Sequence, residues 1–117
     1  MNPSKAKGTA AETAVKTRMR RWFPSAERRA LAGAHDLGDI AGIGGVCVEI
    51  KAHKRYSIGA WLLELAAEKS NAKADVGVLV VKPVGVGDTR VGEWWAIMRL
   101  DEWCEMALDA GYPKRTP

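Results

Sequence analysis

His35-Asp36-Leu37-Gly38-Asp39-Ile40-Ala41-Gly42-Ile43-Gly44-Gly45-Val46-Cys47-Val48-Glu49-Ile50-Lys51-Ala52-His53-Lys54 is the stretch on which the fold turns. Four residues, Gly42-Ile43-Gly44-Gly45, read as a turn between two extended arms. Asp39 lies on the first arm, and Val46–Lys51 forms the second. Side chains alternate along a strand, so Val46, Val48 and Ile50 share a core face, while Cys47, Glu49 and Lys51 share the other. A hairpin brings Asp39 close to Glu49 and puts Lys51 two residues beyond. Two carboxylates side by side repel, and a hard divalent cation such as Mg²⁺ removes that objection. A lysine next to such a cation can orient a water and offset charge on a phosphate. On the Glu-x-Lys spacing alone, a solvated strand face is by far the better account of these residues, because such triplets are common.

Working outward, residues 1–7 read as a loose polar end. Thr9-Ala10-Ala11-Glu12 reads as a capping box opening a helix to about Trp22, with Ala11, Val15, Met19 and Trp22 inward and Pro24 stopping it. Ala26 to Leu31 can form a first strand, followed by a loop with Gly33, His35 and Asp36. Ser57 is positioned to cap a second helix, with Ile58, Trp61, Leu62, Leu65 and Ala66 inward and Glu64, Glu68 and Lys69 outward. Val76–Val81 is a continuous apolar run, as expected of a central strand buried on both faces. Glu93 to Leu100 reads as a further strand whose Trp94 and Trp95 point to opposite faces. Asp101 then caps a last helix with Trp103, Met106, Ala107 and Ala110 inward, stopped by Gly111 and Pro113. Residues 112–117 read as a second loose end.

The order is αβββαβ followed by a C-terminal strand and helix: an α/β chain with a mixed sheet flanked by helices. At 117 residues it is one domain by size. It holds no apolar run long enough for a membrane span and no secretory leader pattern. That points to a cytoplasmic protein, with Cys47 and Cys104 as free thiols in a reducing compartment. The net charge of +4 is uneven. Residues 1–29 hold eight basic side chains against two acidic ones, or +6, and the rest of the chain carries −2. A basic first quarter suits a polyanion such as DNA. Lys7 just before the first helix, Lys16, Arg20 and Arg21 on it, and Lys54 and Arg55 past the hairpin are the candidate phosphate contacts.

Two patches, Lys7-Gly8-Thr9-Ala10-Ala11-Glu12 and Gly38-Asp39-Ile40 through Glu49-Ile50-Lys51, resemble the PD-(D/E)XK nuclease superfamily. Within it they are most similar to archaeal-type and actinobacterial-phage Holliday junction resolvases. The resemblance implies a restriction-endonuclease-like core and Mg²⁺-dependent (or Mn²⁺-dependent) hydrolysis of DNA phosphodiesters at four-way junctions, leaving a 5′-phosphate. It implies a metal held by Asp39, Glu49 and the backbone carbonyl of Ile50, with Lys51 serving the attacking water. Glu12 becomes a fourth candidate of the active site, in competition with its role in the cap. It also implies a homodimer, because a junction is nicked in two strands; Trp61, Trp94 or Trp95 could supply an apolar anchor. The alternatives are a flap or single-strand nuclease on the same fold, or a basic DNA-binding module without catalysis. The chain departs from the family pattern in having Gly38 where a proline usually precedes the first aspartate, and Ala32-Gly33-Ala34 where a serine is common. It also has no glutamine after the Glu-x-Lys strand.

Overall fold

The computed structural model describes residues 3–29 and 36–115. Its elements run α1 (Pro3–Met19), β1 (Glu27–Arg28), β2 (Ile40–Ala41), β3 (Val46–Lys51), α2 (Ile58–Ala72) and β4 (Val76–Val81). A 3₁₀-helix (Asp88–Glu93), β5 (Trp95–Ile97) and α3 (Leu100–Asp109) complete the chain. β3 and β4 pair in parallel, with Glu49 opposite Leu79 and Lys51 opposite Val81, while β5 joins β4 antiparallel. The result is a mixed three-stranded sheet with β4 in the centre and helices on its faces. The expected order of elements is present in full. No helix among the described residues is long and apolar enough to cross a membrane.

Alternation explains the layers. Even-numbered β3 residues Val48 and Ile50 meet Ala11 and Val15 of α1, along with Val80 and Trp94. Odd-numbered Cys47 meets Trp61 and Leu65 of α2, along with Leu79 and Val81. β3 is therefore covered on both faces, and the Cys47–Glu49–Lys51 side looks into α2 rather than into solvent. Gly77 lets α2 approach, since a Cβ there would stand 3.2 Å from Leu65 Cγ. Trp94 is buried and Trp95 exposed, so the two do point to opposite faces.

Several expectations are corrected. α1 begins at Pro3, a residue preorganised for a first helical turn, so residues 3–7 are helical rather than loose. Thr9 then lies inside the helix, where its carbonyl accepts from Thr13 Oγ1 at 2.9 Å, and there is no capping box. α1 ends at Met19, before Pro24, and Trp22 is exposed under the Arg18 guanidinium, 5.8 Å from its ring centre. The two arms of the central stretch do not form one ladder. β2 pairs with β1 instead, Arg28 opposite Ile40, and touches β3 through the Asp39 N–H to Val48 carbonyl bond of 2.7 Å. The first strand covers only Glu27–Arg28; its expected end at Leu31, and the loop residues Gly33 and His35, lie outside the described residues.

Ser57 and Asp101 make no side-chain cap; α2 starts without one, and α3 starts at Leu100 with Arg99 as its N-cap. Glu68 is buried, not outward. Trp103 (58% exposed), Met106 and Ala110 face away from the core, so α3 does not pack as its spacing suggested. It is tethered through Glu102, which bonds Lys69 Nζ at 2.7 Å and the Gly77 N–H at 3.1 Å. Cys47 and Cys104 are free thiols; burial, then the charges of Glu68 and Glu49, push the Cys47 thiol up to about 12.

Candidate active site

The site starts with backbone. Gly38 has φ +96°, and a Cβ there would lie 2.9 Å from the Val48 carbonyl oxygen and 3.0 Å from Cys47 Sγ. Proline, fixed near φ −65°, cannot take this conformation. The departure from the family pattern at Gly38 is thus built into how the chain reaches β3. The close approach seats Asp39 beside the strand, where its Oδ2 accepts the Ile50 N–H at 2.7 Å. In a strand the N–H and C=O of one residue point the same way. The Ile50 carbonyl therefore opens on the edge of β3 that faces Asp39, away from β4.

Glu49 is 5% exposed, and its carboxyl lies beside those of Asp39 and Glu68. Burial first, then the hydrogen bond and charge of Glu49, push the Asp39 carboxyl up to about 8. Burial first, then Glu68, do the same to Glu49, also to about 8. Glu12 stands on the other side of Asp39 and accepts from Arg28 Nε and Nη2 at 3.1 and 2.9 Å. Its carboxyl is raised by burial against the opposing hydrogen bond of Arg28. Freed from the expected cap, Glu12 does join the cluster. Lys51 bonds Glu64 Oε2 at 2.7 Å and lies over the Trp61 ring. Burial pulls its pKa down, but the Glu64 hydrogen bond and the charges of Glu49, Glu64 and Asp39 outweigh this and raise it.

The structure thus brings Asp39, Glu49, Lys51, Glu12 and the Ile50 main chain together as the sequence suggested. It adds two residues that the sequence reading had set aside. Asp36, Glu49 and Glu68 each offer an oxygen, all within 4.8 Å of one another, a cluster that could hold a metal ion. The signal for Glu68 was its spacing: Trp61, Leu65 and Glu68 fall at i, i+4 and i+7, on one helix face. Asp36 is exposed but anchored, its Oδ1 accepting the Gly38 N–H at 2.9 Å and its carbonyl accepting from Asn71 Nδ2 at 3.1 Å. All the donors here are oxygens and several are buried, as a hard divalent cation requires.

The candidate phosphate contacts divide. Lys7 and Lys54 line one groove of about 400 Å³, joined there by His53 and by Lys82, which the sequence reading missed. Arg55 is exposed just beyond Lys54. Arg21 is exposed on a different groove beside Arg18, and Lys16 is half-buried on α1. Arg20 is committed to structure: its Nε donates to the Ala26 carbonyl at 2.7 Å and its guanidinium pairs with Glu27, closing the turn after α1. Comparison with family models, with curated proteins and with solved structures returns no match to this chain.

Proposed function

We infer that the protein is a divalent-metal-dependent endonuclease that hydrolyses DNA phosphodiester bonds, with branched DNA, a four-way junction first, as its substrate. The observation that carries this reading is the carboxyl pair of half-buried Asp39 and buried Glu49 at the edge of β3, with the Ile50 main chain beside it and Lys51 two residues on. Asp39, Glu49 and the Ile50 carbonyl would hold Mg²⁺ or Mn²⁺. When bound, such an ion acts as a Lewis acid at the phosphate and makes an attacking water more acidic. The chain's own share is to hold that ion and to present the Lys51 ammonium to the phosphate and water. Glu64 keeps Lys51 extended and charged.

The basic groove of Lys7, Lys54 and Lys82 lies where β3 and β4 end, as a track for the phosphate backbone leading to the site. Cutting a junction symmetrically takes two copies, and the reading therefore includes a homodimer. Of the three tryptophans considered as anchors, Trp61 and Trp94 are buried, and Trp95, stacked on Tyr56, is the exposed one. The experiment is cleavage of a labelled four-way junction beside linear duplex, flap and single-strand controls, with Mg²⁺ and with chelator. Mg²⁺-dependent nicking that favours the junction supports the full reading. Nicking of flaps or single strands alone moves the substrate, and binding without nicking under Mg²⁺ or Mn²⁺ reduces the protein to a DNA-binding module.

A further inference from the structure

Helix α2 presents its own carboxylate to the far side of Glu49. Glu68 is 4% exposed, and its Oε2 has no hydrogen-bond partner among the described residues. It lies among the carboxyls of Glu49 and Asp36 instead, one oxygen of each within 4.8 Å of the others. Basic side chains next to it in sequence and across the sheet are engaged elsewhere, Lys69 with Glu102 and Lys51 with Glu64. A buried carboxylate oxygen without a donor is costly, and placing two more carboxylates against it raises the cost unless a proton or a cation is shared among them.

The three acids come from separate segments, and each is fixed. Asp36 is held by its own turn onto Gly38 and by Asn71 of α2. Glu49 is fixed by the β3–β4 ladder, and Glu68 by the helix that packs Trp61 and Leu65 on the sheet. The oxygens of Asp36, Glu49 and Glu68 gather within 4.8 Å, a grouping that does not include Asp39. We propose that Asp36, Glu49 and Glu68 form a second divalent-cation site, separate from the one at Asp39, Glu49 and the Ile50 carbonyl and sharing Glu49 with it. Three fixed carboxylate oxygens, with water completing the shell, suit Mg²⁺ or Mn²⁺. Two cations flanking one carboxylate is an arrangement that can stabilise both the attacking and the leaving oxygen of a phosphodiester. The inference rests on the nuclease reading only for the identity of the neighbouring site.

The test counts bound Mn²⁺ per chain by equilibrium dialysis, with the bound ion followed by electron paramagnetic resonance, on the protein without DNA. Wild type is expected to bind two ions that broaden each other's signal. Glu68→Gln and Asp36→Asn should each retain one, and so should Asp39→Asn. Asp36 is exposed and an asparagine keeps the acceptor for the Gly38 N–H, so that variant reports even if Glu68→Gln fails to fold. One ion in wild type, or two ions retained in Asp36→Asn and in any folded Glu68→Gln, overturns the second site. Nicking assayed on the same samples separates the two ideas. Two ions without cleavage of any DNA sinks the nuclease reading and leaves the site standing; cleavage with a single ion does the reverse.

Discussion

Asp39 and Glu49 carry the strongest consequence at the scale of single residues. Their carboxyls sit at about 8 in the folded chain against ordinary values of 3.8 and 4.5, raised first by burial. Between those limits the folded state holds more protons than the unfolded one. The stability tied to them is therefore complete below about pH 4 and is lost as pH rises through 8. In chelator, Tm should fall steadily from pH 5.5 to pH 8.5, and Mg²⁺ should restore it most at the alkaline end, where the carboxylates are ionised and free to ligate. Asp39→Asn should flatten the profile and raise the metal-free Tm at pH 8.5. A scanning-fluorimetry series with and without Mg²⁺ checks this; a metal-free Tm that climbs with pH would contradict it. Lys51 makes a different prediction. Lys51→Ala should slow cleavage by at least about 100-fold, and added Mg²⁺ should not rescue it, because what is lost is the ammonium rather than the ion. Titrating Mg²⁺ in a single-turnover assay of the variant reads this directly.

At the scale of elements, Gly38 decides where the first arm lands. Gly38→Ala must place a Cβ 2.9 Å from the Val48 carbonyl at φ +96°. The expected cost is about 2 kcal/mol or more by denaturant unfolding, with metal affinity lost along with the displaced Asp39. Much at this scale was legible in the sequence. β4 showed itself because a strand buried on both faces is a plain apolar run, and α2 because Trp61 and Leu65 fall at helical spacing. The Asp39–Glu49–Lys51 constellation was legible because a glycine turn between short arms fixes which side chains can meet. What was lost had physical causes too. The Thr9 box was outbid by Pro3, which starts the helix a turn and a half earlier. The expected hairpin ladder is absent because β1 supplies a competing partner for Ile40 from outside the stretch. Glu68 was read by its charge rather than by its place beside Trp61 and Leu65, and a cluster of like charges is not something a one-dimensional pattern anticipates.

For the molecule as a whole, the excess charge of the first quarter is spent in two ways. Arg20 and Arg28 hold the chain together through Glu27 and Glu12, whereas Lys7 shares a groove with Lys54 and Lys82 from later in the chain. Replacing Lys7 and Lys54 together by alanine should weaken DNA binding alike across sequences and flatten the dependence of log affinity on log salt by ~0.9 per contact removed. Fluorescence anisotropy at several salt concentrations checks it, and an unchanged slope would remove the groove from the binding surface. Arg20→Ala should instead lower Tm with little change in that slope. Leu100, Trp103 and Leu108 leave α3 with exposed apolar surface that no other described residue covers.

The proposed nuclease activity stands or falls with Asp39 and Glu49 as holders of a divalent cation. The most direct measurement is nicking of one labelled four-way junction under Mg²⁺ by wild type and Asp39→Asn, with binding to the same junction followed in Ca²⁺, which supports binding but little turnover. The account predicts that wild type nicks the junction, whereas Asp39→Asn binds it as tightly or more tightly and leaves it intact. Nicking by Asp39→Asn at the wild-type rate would contradict it.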